Sequence, residues 1–262
     1  MQFIVEGYPA YAYTGGRPFD PSRPAAVLVH GAAFDHSVWQ WQSRHLAHQG
    51  FTVLAVDLPA HGRSPGNARR SIGAFATWVA ALVDAAGLTR VHLAGHSMGS
   101  LVALETALRH RDKLQSLALL GTAAPMAVGE PFLAAARDRA NAAFDMEAVW
   151  GLSRHTQLAT SPVPGVTLLG ASRGLNGRSA PGVLEADLVA CRDYAANMDE
   201  VRALDLPTLV VAGRGDMMTP FKAGQALAAT IPRARFVALD TGHSLMSEAP
   251  REVAALLRDH WR

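Results

Sequence analysis

Short apolar runs alternate with longer, helix-like segments along most of this sequence, and no other feature restricts the possible folds as much. The apolar runs lie at 26–30, 52–57, 91–94, 117–120, 208–212 and 235–239. Such continuous runs are typical of strands that are buried on both faces of a sheet. Strands separated by helices predict an α/β fold with a mainly parallel sheet flanked by helices. Two short runs at 3–5 and 10–13 predict an opening hairpin, which brings the expected sheet to eight strands.

Three helix-like segments accompany these predicted strands. We expect helices over 71–86, which runs up to Gly87, over 98–110, and from Pro250 towards the end of the sequence. A glycine just after a helix and a proline in its first turn are both typical of helix boundaries.

The alternation fails between residues 124 and 206. This segment has helical patterns at 131–144 and 184–198 around a loop at 161–182 that is rich in Gly, Pro and Ser. Strand patterns resume after Pro207. We therefore interpret 124–206 as a helical cap inserted into one α/β core, which is formed by residues 1–123 and 207–262.

Composition excludes several classes of protein. The 24 Lys and Arg residues nearly balance the 22 Asp and Glu residues, so the charge does not favour a nucleic-acid partner. No run approaches the roughly 20 apolar residues that cross a bilayer, and the first residues do not resemble a signal peptide. The single cysteine, Cys191, excludes an internal disulfide. We expect a cytoplasmic protein with no membrane span.

The most informative local pattern is Gly95-His96-Ser97-Met98-Gly99. This G-x-S-x-G pattern follows a predicted strand and opens a predicted helix, which is the context that gives the motif its meaning. Glycines two residues to either side leave room for a turn that is tight enough to project the serine. The start of a helix also favours negative charge. The pattern predicts Ser97 as a nucleophile.

A serine hydroxyl needs a base to take its proton, and the base needs an acid to orient it. His243 follows the last predicted strand and a glycine, and Asp216 follows the strand before that. We predict these two as base and acid, because the chain order Ser, Asp, His is that of hydrolases with a G-x-S-x-G turn. Asp57 also ends a strand, but its surroundings favour an aspartate that caps the backbone of a turn.

Two backbone N–H groups are predicted to stabilise an oxyanion. One is that of Met98, directly after the nucleophile, and the other is that of Ala32, in the turn after the strand at 26–30. We expect the side chain of His30 to be structural.

Four motifs in order resemble the α/β-hydrolase family over nearly the whole chain: HGAAFDHSVW at 30–39, DLPAHGRS at 57–64, GHSMG at 95–99, and GRGD with TGHS around 216 and 243. The resemblance implies a triad of Ser97, His243 and Asp216. The HGA motif followed by Trp39 is similar to small-ester hydrolases that include plant methylesterases and hydroxynitrile lyases. GHSMG resembles bacterial carboxylesterases and carbon–carbon bond hydrolases. The serine argues against relatives that use an aspartate nucleophile.

We therefore expect a serine hydrolase that needs no cofactor and cleaves a small carboxylic ester through an acyl-enzyme. Two alternatives stay open: a carbon–carbon bond hydrolase or lyase acting on a diketone-like substrate with the same triad, and a ligand receptor that turns over slowly. The sequence has neither paired cysteines nor an H-E-x-x-H motif, so no motif of this kind suggests a metal site. Cys191 is expected to be a packing thiol. Residues that could line an acyl pocket are Phe132, Phe144, Trp150 and Leu152.

Overall fold

The computed structural model describes residues 1–138, 140–158, 165 and 167–262. Its strands are β1 (Gln2–Val5), β2 (Tyr8–Tyr13), β3 (Ala25–Val29), β4 (Thr52–Val56), β5 (Val91–His96), β6 (Leu114–Leu120), β7 (Thr208–Gly213) and β8 (Ala234–Leu239). Its α-helices are α1 (Gln40–His48), α2 (Ile72–Ala85), α3 (Met98–Arg109), α4 (Glu130–Asp138), α5 (Ala140–Trp150), α6 (Arg154–Leu158), α7 (Leu168–Asn176), α8 (Val183–Arg192), α9 (Met198–Arg202), α10 (Phe221–Thr230), α11 (Leu245–Glu248) and α12 (Pro250–His260).

The strands form one sheet in the order β1-β2-β4-β3-β5-β6-β7-β8. β1 pairs with β2, and β2 with β4, in antiparallel fashion. All the other neighbouring pairs are parallel, from β4·β3 through to β7·β8. The predicted eight-stranded, mainly parallel sheet flanked by helices is confirmed, including the opening hairpin.

Alternate side chains of the central strands enter two different cores, which explains their uninterrupted apolar sequences. In β3, Val27 and Val29 join the core formed with α2 and α3. Ala26 and Leu28 join the core on the opposite face, formed with α1 and α12. Because successive strand side chains point to opposite faces, a strand covered by helices on both sides must be apolar throughout.

The segment between β6 and β7 carries α4 to α9, and its described residues contain no strand. The helical pattern predicted at 131–144 coincides with α4 and the first part of α5, and residue 139 between them lies outside the described residues. The helix predicted over 184–198 ends at Arg192 instead. Asn197 then caps α9 by accepting hydrogen bonds from the N–H groups of Asp199 and Glu200.

The loop predicted over 161–182 is also partly wrong. Residues 161–164 and 166 lie outside the described residues, but α7 occupies 168–176. Its two internal glycines weaken the intrinsic preference for a helix by about 1 kcal/mol each. α7 packs against α5, and an ion pair joins Arg173 to Asp145. These tertiary contacts override the local preference, which is why the composition of the segment was misleading.

Among the described residues, none of the helices combines the length and the apolar character that crossing a bilayer requires.

Candidate active site

Ser97 occupies the turn between β5 and α3 in a conformation that is rare for a residue with a side chain. Its φ is 54° and its ψ is −122°. Only a sharp reversal of the chain holds such a residue, and backbone conformations of this kind cost about 1–3 kcal/mol. A Cβ atom on Gly95 would overlap the carbonyl of Gly99, and one on Gly99 would overlap the carbonyl of His30. The glycines therefore permit the close approach that the turn needs.

Asp216 and His243 lie side by side at the ends of β7 and β8. Nδ1 of His243 lies 2.8 Å from Oδ2 of Asp216, and both side chains are almost fully buried. The N–H groups of Met218 and Thr219 each donate to Oδ1 of Asp216 at 2.8 Å, and the Thr219 hydroxyl donates to Oδ2 at 2.7 Å. These bonds fix the plane of the carboxylate opposite the imidazole.

The surroundings of Asp216 favour its ionised form. Burial opposes ionisation of Asp216, but His243 and the hydrogen bonds from Thr219 outweigh it and lower the pKa of Asp216. Because the ionised carboxylate accepts at Nδ1, the neutral ring of His243 carries its proton there. Its Nε2 is then an acceptor, and this atom is buried without a hydrogen-bond partner in the described chain.

Ser97 lies next to this pair, but its hydroxyl is not hydrogen-bonded to Nε2 of His243. The N–H of Ser97 donates to the carbonyl of Leu120 at 3.0 Å, and the following Gly121 packs against the imidazole of His243. Ser97 also lines the same cavity as Thr219, which contacts Nδ1 of His243 at 3.1 Å. Hydrogen bonds of this kind are often long in a free enzyme and tighten when substrate binds.

His96 and His30 have structural positions beside the predicted site. Nε2 of His96 donates to the carbonyl of His243 at 2.8 Å, and burial with the neighbouring His243 lowers the pKa of His96 to about 3. In His30, Nδ1 donates to the carbonyl of Gly31 at 2.8 Å and Nε2 accepts from the N–H of Leu58 at 3.1 Å. Burial lowers the pKa of His30 to about 4. Both rings stay neutral and hold backbone segments in place.

The two predicted oxyanion donors lie in the loop after β3 and at the start of α3. Met98 is the first residue of α3, so its N–H lies in the first turn, where helical N–H groups have no acceptor within the helix. Ala32 lines the cavity together with Ser97. A Cβ atom on Gly31 would lie 3.2 Å from that of Ser97, which shows how closely this loop approaches the turn.

A cavity of about 350 Å³ opens at Ser97. It is lined by Ala32, Ser97, Met126, Ala127, Val128, Gly129, Pro131, Phe132, Glu147, Trp150, Leu188, Cys191, Met217, Met218 and Thr219. Of the predicted pocket residues, Phe132 and Trp150 are here, whereas Phe144 packs in the core. Leu152 lines a second cavity of about 370 Å³ that does not include Ser97. The cavity that includes Ser97 is therefore the candidate active site.

Glu147 is a member of this site that the sequence did not reveal. Its carboxyl is buried and accepts a hydrogen bond from Nδ2 of Asn176 at 3.1 Å. Burial, together with the nearby Asp187, raises the pKa of Glu147 to about 8. The same surroundings raise the pKa of the Cys191 thiol, which disfavours the thiolate. A glutamate on an amphipathic helix gives no sequence signal of such burial.

Glu248 is a second residue that the sequence analysis missed. Oε1 of Glu248 accepts from the N–H of Gly242 at 2.8 Å, directly before His243. Oε2 accepts from the N–H of Ser153 at 3.1 Å and from the hydroxyl of Thr156 at 2.7 Å. Glu248 thus ties the loop that carries His243 to the segment between β6 and β7.

A cluster of polar side chains in the turns after β3 and β4 holds backbone in place. Ligand atoms of Asp35, His36 and Asp57 lie within 4.8 Å of one another. Oδ1 of Asp57 accepts from the N–H of His36 at 2.7 Å, and Oδ2 accepts from the N–H of Arg63 at 2.8 Å. The prediction that Asp57 caps the backbone of a turn is confirmed.

A mainly parallel eight-stranded sheet with a serine in a strained turn after β5 defines the α/β hydrolase class. The sequence profile of the alpha/beta hydrolase fold matches residues 24–250. The chain belongs to this family, and it is an enzyme of the hydrolase class.

Individual relatives are esterases and other hydrolases. The chain is 30% identical over 255 residues to a pimeloyl-[acyl-carrier protein] methyl ester esterase of Aromatoleum aromaticum, covering 91% of this chain and 98% of the relative. It is 29% identical over 256 residues to a putative carbamate hydrolase, RutD, of Stutzerimonas stutzeri, covering 92% of each. The enol-lactonase of Burkholderia xenovorans superposes with a TM-score of 0.88 at 25% identity, covering 99% of both chains.

Proposed function

We propose that this protein is a serine hydrolase that cleaves a small carboxylic ester through an acyl-enzyme, with Ser97, His243 and Asp216 as its triad. The observation that carries the proposal is the buried 2.8 Å pair of Asp216 and His243, which leaves Nε2 of His243 without a partner at the same edge of the sheet as the strained turn of Ser97. The esterases and lactonases among its relatives cleave the same type of bond.

In the first half of the reaction, Nε2 of His243 takes the proton of the Ser97 hydroxyl as its oxygen attacks the ester carbonyl. Asp216 holds the ring in the tautomer that has a free Nε2 and stabilises the imidazolium that forms. The N–H groups of Ala32 and Met98 donate to the oxyanion of the tetrahedral intermediate. Each such donor is typically worth about 2.7–4 kcal/mol in the transition state.

The tetrahedral intermediate then collapses, and Nε2–H of His243 gives its proton to the leaving alcohol. Water enters the same position, loses a proton to His243 and attacks the acyl-enzyme. A second collapse releases the carboxylic acid and restores the Ser97 hydroxyl. These reaction steps use only groups of this chain and water.

The lining of the cavity supports a small and largely apolar acyl group. Its apolar side chains include Met126, Phe132, Trp150 and Leu188. A volume of about 350 Å³ is at the lower end of the range for small-molecule sites.

We further propose that residues 124–206 act as the cap of this site, over a core of residues 1–123 and 207–262. α4, α5 and α8 supply part of the cavity wall. The cap also contacts the loop of the proposed base, because the N–H of Ser244 donates to the carbonyl of Gly151 at 2.7 Å. Substrate specificity is therefore expected to depend on this segment.

An activity screen with short-chain acyl esters, thioesters and diketones tests the proposal, with Ser97→Ala measured alongside. We expect ester hydrolysis by the wild type and a loss of at least about 10⁴-fold in kcat for Ser97→Ala. Full ester hydrolysis by folded Ser97→Ala would contradict the covalent mechanism. Turnover of diketones but not of esters would instead support a carbon–carbon bond hydrolase or lyase. Tight binding of a ligand without turnover would instead support a receptor.

A further inference from the structure

Asp187 connects three separate parts of the molecule through one carboxylate oxygen. It lies on α8 in the cap, and its side chain is fully buried. Its Oδ2 accepts from the N–H of Ala33 at 2.9 Å and lies 2.8 Å from Nε2 of His61. Ala33 directly follows the proposed oxyanion donor Ala32, and His61 belongs to the turn after β4.

The partners of His61 define its charge. Its Nδ1 faces the carbonyl oxygen of Pro59 at 3.0 Å, and its Nε2 faces the carboxylate of Asp187. Both partners are acceptors, so both ring nitrogens donate and the ring is an imidazolium. Burial lowers the pKa of His61, but the charge and hydrogen bond of Asp187 outweigh it and the net shift is upward. The two side chains therefore form a buried ion pair.

The backbone that Asp187 holds is strained. Ala33 has a φ of 54°, in the left-handed region that side chains disfavour. A hydrogen bond to a carboxylate is among the stronger ones in proteins, so the bond from the N–H of Ala33 to Asp187 offsets this strain. Without the carboxylate, Ala33 is free to relax towards negative φ. That change would rotate the peptide that joins Ala32 to Ala33 and so displace the backbone of the proposed donor Ala32.

We infer that Asp187 is a positioning residue, which holds Ala33 in its strained conformation so that the N–H of Ala32 faces the oxyanion. His61 in turn orients Asp187, and the oxyanion hole is complete only when the cap is seated on the core. This inference rests on the proposed function and adds to it a direct role for the cap in the chemical step.

The test compares Asp187→Ala and Asp187→Asn with the wild type on the best short-chain ester from the activity screen. Displacing one oxyanion donor is expected to lower kcat by about 10²-fold in the alanine variant, with KM changed less than about threefold. The asparagine variant retains an acceptor for Ala33 and is expected to lose only about tenfold. Folding of the alanine variant is checked by circular dichroism and by its unfolding transition. If the alanine variant does not fold, the asparagine variant alone is compared with the wild type.

Glu185→Gln is the matched control. Glu185 lies on the same helix and pairs at the surface with Arg70 of the core at 3.6 Å and with Arg137 of the cap at 3.4 Å. The variant weakens a contact between cap and core without touching the oxyanion loop. Its kcat is expected to stay within about twofold of the wild type. A loss equal to that of Asp187→Ala would assign the effect to a loosened cap and overturn the inference.

A transition-state analogue separates positioning from structural support. A trifluoromethyl ketone forms an adduct with the nucleophile whose oxyanion occupies the proposed hole, whereas the product acid carries no such group. For Asp187→Ala we expect the inhibition constant of the ketone to rise in parallel with the loss of kcat/KM. The affinity for the product acid should stay within about threefold.

The two proposals fail in different ways. Ester hydrolysis by the wild type, lost in Ser97→Ala but unchanged in folded Asp187 variants, would overturn the positioning role and leave the proposed function intact. Equal weakening of ketone and acid binding would also reject the positioning role. Undiminished hydrolysis by Ser97→Ala would instead remove the proposed function.

Discussion

Two imidazoles in contact with each other, those of His96 and His243, have different environments because their hydrogen bonds differ. Their ring centroids are 4.7 Å apart. His96 donates to a carbonyl, and its surroundings lower its pKa to about 3, so it adds no charge to the site. His243 faces the ionised Asp216 and keeps a free Nε2. The hydrogen-bond partners of each imidazole, rather than its position in the chain, distinguish the proposed base from a histidine with a structural role.

Replacing Asp216 with asparagine tests this assignment at the residue scale. If the NH₂ group of the new asparagine faces the ring, it cannot accept a hydrogen bond from Nδ1–H as the carboxylate does. His243 is then driven towards the tautomer that carries its proton on Nε2. We expect kcat for ester hydrolysis near pH 7 to fall by about 10⁴-fold, with a smaller effect on KM. Asp240→Asn, an exposed change at the end of β8, is the control and should keep wild-type kinetics. A loss below about tenfold in Asp216→Asn would contradict the proposed role.

The sequence predicted some elements well and others poorly, for a physical reason. β3 to β7 each contain an apolar run because helices cover both faces, so their pattern is visible without the fold. The turn after β5 is equally visible, because its crowding admits only glycine at two positions. The helices between β6 and β7 have short patterns, and contacts with their neighbours decide where they end. Glycines at 170 and 174 therefore favoured a loop where α7 forms.

Gly99→Ala tests the crowding at the turn after β5. The added methyl group would overlap the carbonyl oxygens of Val29 and His30, which are backbone atoms of a central strand and its end. We expect a loss of more than about 3 kcal/mol in the free energy of unfolding, measured by chemical denaturation. Gly174→Ala, where nothing lies within 4 Å of the added atom, should leave stability unchanged or raise it by up to about 1 kcal/mol. Equal stability of both variants would contradict this account of the turn.

On the scale of the whole molecule, the proposed site is assembled from segments that are distant in the sequence. The positions of Asp216 and His243 just after their strands were sufficient to predict that these two residues meet. The contributions of Glu147, Asp187 and Glu248 could not be predicted. Each is a carboxylate whose role follows from burial against a distant segment, and a local pattern does not contain that information.

The buried carboxyl of Glu147 makes the stability of the whole protein depend on pH. Its ordinary pKa is 4.5 and the folded value is about 8. As the pH rises through this interval the unfolded chain releases a proton that the folded protein retains, so stability falls. Glu147→Gln removes that penalty. We expect the variant to be more stable than the wild type by about 2–4 kcal/mol at pH 8, or about 5–10 °C in Tm.

The same comparison at pH 4.5 is the internal control, because the penalty has only begun to accumulate at that pH and the advantage of Glu147→Gln should nearly vanish. Glu252→Gln, an exposed change on α12, should alter Tm by less than about 2 °C at either pH. An advantage of Glu147→Gln that is the same at both pH values would show that the carboxyl is not held in its protonated form.

The covalent intermediate itself provides the most direct test of the mechanism. The wild-type protein is mixed with a short-chain activated ester, quenched in acid within milliseconds, and analysed by intact mass and peptide mapping. We predict a mass increase of one acyl group, located on the peptide that contains Ser97 and absent from Ser97→Ala. Two results would contradict the account. One is ester turnover with no acyl group on that peptide, either in the burst or in the steady state. The other is an acyl group on a different residue that is needed for turnover.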